Sequence, residues 1–465
     1  MVHELANDTH VNMSATLGFY GGVGSVTGAN FMLDMGDLAA LVDCGLVQGD
    51  KFAQEVNAEP FVYNPADADV LFVTHAHADH IGRIPKLVKD GFTGKIYSTE
   101  PTRDFANIML HDALKVMQYE KERYGHEVLY AEGDIAAALS LWEVLPYDKK
   151  VTLENGVNVH FEDVGHILGS GMVHFERNGK KIVFTGDIGN DPQPLLNPPV
   201  VPKDYDYLVM ESVYGDRLHE QVEERTELLK AEILETQRKH GTLIIPAFSL
   251  ERTQGMLLEI NNLVESGQIE PLPVFLDSPL AIKVTEMYRK YPQYLKGAVQ
   301  EQIKAGDDIF DFEGLSFTRT VKDSHNIKKE KGAKIIIAGS GMSHGGRIRM
   351  HEKNYLDDKN TTLLLVGYQS VGSLGRLLHD GAKKVTIDGE PVKVHAKVAR
   401  IRGYSGHADR DQLLGIVAKG GEKAKTVFVT MGEERSSLFL VQRLRDYLGV
   451  NAVAPSQNEE VEIDF

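Results

Sequence analysis

One cysteine, Cys44, and one tryptophan stand in a chain of 465 residues. A single thiol cannot build a disulfide framework, and it cannot furnish the thiolate sets of structural zinc or iron–sulfur sites. Any metal here must be held by histidine and carboxylate. No apolar run approaches the roughly 20 residues that span a bilayer. The opening MVHELANDTHVNMS has neither the basic nor the apolar region of a signal peptide, so a reducing cytoplasm is the expected location. Positive charge is also short: 50 Lys and Arg face 67 Asp and Glu, a formal net charge of −17. That excludes coating nucleic acid by bulk charge, though not a local basic groove beside bound cations. With 42% hydrophobic and 25% charged residues the composition is that of a globular protein, and the length asks for two domains.

The first two hundred residues read as short strands joined by Gly-rich turns. ATLGFYGGVGSVTGANFMLDMGDLAALVDCG holds three β-like runs. Its Gly21, Gly22, Gly24 and Gly28 invite comparison with a phosphate loop, but no Gly-Lys-Ser/Thr follows, which favours a hairpin. Residues 102–146 read as helical, ending near Pro146. VTLENGVNVHFEDVGHILGSGMVHFERNGKKIVFTGDIG reads as a strand meander with Asn-Gly turns at 155–156 and 178–179. Near residue 205 the texture changes to strands alternating with helices (219–239, then from Thr253, then from Leu280), the pattern of a doubly wound parallel sheet. No linker marks the change. A boundary without a linker is what an insertion produces, because both its ends must return to the host.

LFVTHAHADHIG, at 71–82, places His75, His77, Asp79 and His80 behind an apolar run. Alternate residues of an extended loop point in opposed directions, so such a loop can feed two neighbouring ions. Imidazole nitrogen and carboxylate oxygen suit Zn²⁺. His166 in DVGHILGSG and Asp187 in VFTGDIG lie where strands run into Gly turns. Each alone is as well read as a structural histidine or a turn-forming aspartate; they gain meaning beside the first loop. Asp43 in ALVDCG is a candidate acceptor that orients the ligand loop, or a strand-end cap. AGSGMSHGGRIRMH sets Ser340 and Gly341 at a strand-to-helix junction whose backbone N–H groups could cradle phosphate, with Arg347 and Arg349 adding charge; an ordinary βα turn is the plain alternative. In PAFSLERTQ, Phe248 could stack a base and Arg252 bind phosphate, or both could pack in the core.

THAHADH, GHILGSG and FTGDIG resemble the sequential metal motifs of the metallo-β-lactamase fold. VMESVYGDR, PAFSLERTQ, LDSPLA, AGSGMSHGGR, GYQSVGSLG and GYSGHAD narrow the resemblance to the β-CASP family of nucleases, and run in that family's order from about residue 15 to 450. That family includes the endonuclease of eukaryotic pre-mRNA 3′-end processing and many prokaryotic ribonucleases. The resemblance implies an α/β fold: a metallo-β-lactamase αββα sandwich over 1–207 and 397–465, interrupted over 208–396 by a doubly wound β-CASP domain. It implies two zinc ions, one held by His75, His77 and His166, the other by Asp79 and His80, with Asp187 bridging. Glu211 matches the acidic residue of the family's motif A. His407, in GYSGHAD, matches the motif B histidine near the scissile phosphate. One position departs from the pattern: motif C reads His-Gly-Glu, whereas this chain reads VFVTMGEE, with Met431 in place of the histidine. A thioether is soft, neutral and poorly matched to zinc, which leaves the second ion one donor short.

The function so implied is zinc-dependent hydrolysis of RNA phosphodiesters by metal-activated water. Asp79, Glu211 and His407 are the expected catalytic residues, with His407 as general acid and Glu211 stabilising its protonated form. Two other readings stay open: a lactamase-fold hydrolase of another ester, and an RNA-binding relative whose second metal site has weakened, for which Met431 is the only sign. RNA is the expected partner, no membrane is expected, and a homodimer is compatible with the resemblance.

Overall fold

The computed structural model describes residues 14–49, 52–369 and 372–465. Two seven-stranded sheets lie face to face. Across the first the strands run Glu459–Asp464, Ser14–Gly21, Asn30–Asp34, Ala39–Val42, Val70–Phe72, Lys95–Ser98 and Trp142–Val144. Across the second they run Ala452–Val453, Thr426–Val429, Tyr207–Met210, Lys180–Phe184, Gly171–Arg177, Asn158–Asp163 and Val151–Thr152. Aromatic residues on the facing sides weld the layers: Phe19 meets Phe428 and Phe72 meets Phe175, each with ring centroids 5.2 Å apart. Helices cover both outer faces. Phe105, Leu110 and Leu114 of Glu100–Tyr124 share a core with Leu41, Leu71 and Ile96 of the first sheet. Leu413, Ile416 and Leu440 of Arg410–Gly420 and Glu434–Leu448 share one with Leu208 and Val427 of the second. The result is the expected αββα sandwich.

The glycine-rich opening is a hairpin: Ser14–Gly21 and Asn30–Asp34 pair antiparallel, Leu17 opposite Leu33. The Asn178-Gly179 turn closes another, both residues taking positive φ, as a two-residue hairpin loop requires. The stretch expected to be helical up to Pro146 divides. Its long helix stops at Gly125, whose left-handed φ of 78° ends it, a shorter helix spans Glu132–Ser140, and Trp142–Val144 is a strand parallel to Lys95–Ser98. Three residues are too few to show a strand's period against the helical pattern before them.

The alternating region forms a third sheet of six parallel strands, ordered Leu315–Phe317, Val274–Leu276, Lys334–Ala338, Thr242–Pro246, Thr361–Leu365, Lys397–Arg400. Leu243 and Ile245 face one core and Ile244 another, so continuous apolar runs such as TLIIP are buried on both sides. The host core and the insert core are continuous, Phe105 and Tyr288 meeting at 5.8 Å. The strand near 397, expected to rejoin the host, instead pairs parallel with Thr361–Leu365, and Tyr207–Met210, cut by the expected limit at 207, lies wholly in the second sandwich sheet. A strand's own pattern does not say which sheet it joins; pairing decides that. We propose that the chain leaves the sandwich after Met210 and returns after Arg400. Among the described residues no helix is long and apolar enough to cross a membrane.

Candidate metal centre

One edge of the sandwich collects the ends of strands from both sheets. Asp43 follows Ala39–Val42, His75 lies three residues after Phe72, Asp187 three after Phe184, Glu211 directly after Met210, and Met431 two after Val429. His166 sits in the turn between Asn158–Asp163 and Gly171–Arg177, where the Ser170 hydroxyl accepts from the His166 and Ile167 N–H groups. The first ligand loop does not stay extended. Residues Ala78–Ile81 form a helical turn, so Asp79 and His80 diverge from His75 and His77 by helical rotation rather than by strand alternation. Gly186 has φ of 55°, and a Cβ there would sit 2.7 Å from Thr74, so this approach of the two loops requires glycine.

Four donor atoms converge in one group. His77 Nδ1 lies 3.0 Å from His75 Nε2 and 3.2 Å from His166 Nε2, while Asp187 Oδ2 is 3.4 Å and 3.5 Å from those two Nε2 atoms. The other oxygen, Asp187 Oδ1, faces His80 Nε2 at 3.3 Å, and Asp79 Oδ2 is 4.0 Å from that same nitrogen. Asp187 thus joins two donor groups through its two oxygens. Burial pushes the His77 and His166 imidazoles well below their ordinary pKa and so keeps them neutral, the form that ligates metal.

In His75, His80 and His166 the other ring nitrogen is held by the protein. Thr74 Oγ1 donates to Asp43 Oδ2 at 2.7 Å and stands 3.1 Å from His75 Nδ1, which donates to it. His80 Nδ1 donates to Asp43 Oδ2 at 2.7 Å, and His166 Nδ1 donates to the Gly406 carbonyl at 3.0 Å. Each of these bonds leaves the Nε2 lone pair facing inward. Asp43 thus bonds both Thr74 and His80 of the ligand loop. Thr74 and Gly406 make the corresponding contacts to His75 and His166, although neither stands out in the sequence; a threonine directly before the first histidine is the only signal for them. Divalent metal fits this site on the structure's own terms: His80 Nε2 and Asp187 Oδ1 are buried, lack hydrogen-bond partners and face one another.

Beside this centre, His407 Nδ1 lies 3.1 Å from Glu211 Oε1. Glu211 is buried, and its two oxygens also accept from Ile188 N–H at 2.7 Å and Val213 N–H at 3.2 Å. Burial raises the Glu211 carboxyl against the pull of His407. Burial depresses His407, but the Glu211 and Asp187 carboxylates outweigh it and hold the imidazole above its ordinary value. The helix after GYSGHAD is capped by Asp409, not by His407, which leaves His407 free of that structural duty. Met431 lines a small gap together with Asp43, His80, Thr185 and Glu211. Its backbone has φ of 45° and its N–H donates to Gly22 O at 2.6 Å. Gly22 has no room for a side chain, since a Cβ would run into Met431 Sδ.

Family models match three consecutive parts of the chain: the metallo-β-lactamase superfamily over 28–233, the Beta-Casp domain over 253–378, and a Zn-dependent metallo-hydrolase RNA specificity domain over 391–455. Ribonuclease TTHA0252 of Thermus thermophilus is 35% identical over 399 residues, covering 85% of this chain and 89% of that protein. The chain belongs to the β-CASP family of the metallo-β-lactamase superfamily. Transcription termination factor FttA of Methanosarcina mazei is 29% identical over 464 residues, 95% of this chain and 71% of that one. A crystal structure of a protein of unknown function from Enterococcus faecalis shares the fold, with a TM-score of 0.56 at 12% identity over 97% of this chain and all of that one. The superfamily's centre is one of divalent metals, in keeping with the donor groups described above.

The other β-CASP candidates lie in the inserted domain. Arg252 is half-buried, and its Nη1 donates to the carbonyls of Val366, at 2.7 Å, and Tyr404. Arg347 Nη1 donates to Asp277 at 2.7 Å and to Thr318 O at 2.9 Å. Phe248 is half-buried with its ring against Gly341, whose carbonyl accepts from Gln369 Nε2 at 3.0 Å. Ser340 Oγ accepts from the His344 N–H at 3.1 Å and the Gly345 N–H at 3.3 Å, shaping the turn after Lys334–Ala338. Each of the two arginines spends donors on the protein itself.

Proposed function

We propose that this chain is a zinc-dependent ribonuclease. The observation that carries the reading is the bridging position of Asp187: Oδ2 among His75, His77 and His166, and Oδ1 against His80, beside the His407–Glu211 pair. A relative named as a ribonuclease, 35% identical, and the match to an RNA specificity domain support RNA as substrate. His75, His77, His166 and Asp187 would hold one zinc, and Asp79, His80 and Asp187 the other. Zinc, when bound, would supply the Lewis acidity and positive charge that phosphodiester hydrolysis calls for. Because Glu211 accepts from His407 Nδ1, the proton to be given up sits on Nε2 of an imidazole that is 21% exposed. His407 can protonate the leaving ribose oxygen as general acid, with Glu211 favouring the charged ring.

End-labelled RNA, carrying 5′-phosphate or 5′-triphosphate, incubated with wild type and Asp187→Ala tests the reading. The wild type should cut and Asp187→Ala should not; equal cleavage by the two proteins would end the ribonuclease proposal. His407→Gln should lower kcat by roughly 10²–10⁴-fold with metal content unchanged. A second reading, an RNA-binding relative with a weakened second site, is favoured by Met431, and it takes over if the wild type binds the labelled RNA without cutting it.

A further inference from the structure

A second convergence of ligand-type side chains lies on the outer face of the second sandwich sheet and shares no residue with the centre above. His160 and His174 stand directly opposite one another on the antiparallel strands Asn158–Asp163 and Gly171–Arg177, with ring planes 22° apart and centroids at 4.6 Å. Glu162, two residues along from His160, projects from the same face. Its Oε1 lies 3.5 Å from His160 Nε2 and its Oε2 3.2 Å from His174 Nε2, and one donor atom from each residue lies within 4.8 Å of the others. His174 is 1% exposed and His160 6%. His174 Nε2, the nitrogen that faces Glu162, is buried and lacks a well-aligned hydrogen-bond partner. Leaving such a group unsatisfied is costly, so a partner that bonds it has a strong claim.

The spacing identifies that partner. Two ligands at about 2.1 Å from a tetrahedral ion lie about 3.4 Å apart, and the two nitrogen–oxygen separations here, 3.2 Å to Oε2 and 3.5 Å to Oε1 of the same carboxylate, fall on either side of that value. Among the described residues no lysine or arginine is paired with Glu162; nearby Lys181 pairs with Glu176 instead. We propose that His160, Glu162 and His174 form an additional metal site for a divalent transition ion of the zinc type. Two imidazoles and one carboxylate leave a fourth position for water, which Glu162, 23% exposed, opens to solvent. The ion ties two strands whose near ends, Asp163 and Gly171, flank the turn that carries His166.

The test uses the full chain stripped by chelator and reloaded with Co²⁺. In an Asp187→Ala, His77→Ala background, which removes the carboxylate shared by the other donor groups and one of the three converging imidazoles, about one Co²⁺ per chain should survive gel filtration with the visible absorption of a low-coordinate cobalt–imidazole site. Adding Glu162→Gln should remove that cobalt and its spectrum. In the otherwise wild-type chain, Zn²⁺ should raise the melting temperature more than it does in Glu162→Gln. Equal cobalt content with and without Glu162→Gln, or none in either, overturns the site. His174→Ala removes a buried ring and can fail to fold; the partly exposed Glu162 keeps the test decisive.

Discussion

At the scale of single residues, Met431 and Asp43 line one small gap with the same histidine, His80. Asp43 holds His80 Nδ1, and its two oxygens also take both Thr74 donors, at 2.8 and 2.7 Å. Its φ of 59° is one that asparagine tolerates, so Asp43→Asn keeps the backbone while removing an acceptor. Loss of such a supporting partner typically costs 10–100-fold in metal affinity or activity, and cleavage by Asp43→Asn should fall by about that factor. A rate equal to wild type would show that the loop orients itself. Met431 faces the gap beside His80 where the family pattern has a histidine. Histidine adopts a positive φ more readily than most side chains, so Met431→His should fit the backbone already in place. It should bind about one more metal ion per chain than wild type after dialysis, with equal or higher cleavage. Unchanged metal content and rate would mean that the thioether costs the second site nothing.

Elements extend the argument to the turn after Lys334–Ala338. Helix Ile348–Tyr355 carries Glu352, which is buried and bonded to the Ser343 hydroxyl. Burial pushes its carboxyl up to about 8, against the pull of Ser343 and Arg349. An unfolded glutamate titrates near 4.3, so the folded chain holds this proton more tightly. That contribution to stability is complete below the unfolded value and is lost as pH rises through about 8. Between about pH 6 and pH 9 the melting temperature of wild type should fall more than that of Glu352→Gln, which cannot titrate. Parallel falls would assign the effect to other groups. The same turn shows why element-level reading stops short. AGSGMSHGGR marks a strand-to-helix junction by its glycines, but nothing in its spacing announces that Ser343 is fastened to a carboxylate nine residues on.

For the whole molecule, what could be read from the chain was what lies close along it. His75, His77, Asp79 and His80 declare themselves because a metal needs several donors and one loop supplies them within six positions. His160, Glu162 and His174 do not, because only the register that sets His160 against His174 makes them neighbours. Lys397–Arg400 reads as a strand, yet its membership of the third sheet depends on Thr361–Leu365 beside it. Arg252 is the sharpest case. PAFSLERTQ offers it as a phosphate ligand, but its guanidinium joins two distant segments: Val366, at the end of a strand of the inserted sheet, and Tyr404, three residues before His407. Burial lowers its pKa to about 10, which still leaves it charged at neutral pH and able to hold both carbonyls. Arg252→Met keeps the apolar stem and removes the donors. Hydrogen bonds from a charged group contribute about 1.5–3 kcal/mol, so the substitution should lower stability on that order. The two roles then separate kinetically. A strap that positions the His407 segment predicts a lower kcat with little change in KM. A phosphate ligand predicts a higher KM and a shallower dependence of RNA binding on salt, since one fewer cation would displace counterions. We expect the first pattern, because Nη1 is bonded to both backbone carbonyls; a raised KM with kcat intact would return Arg252 to the substrate.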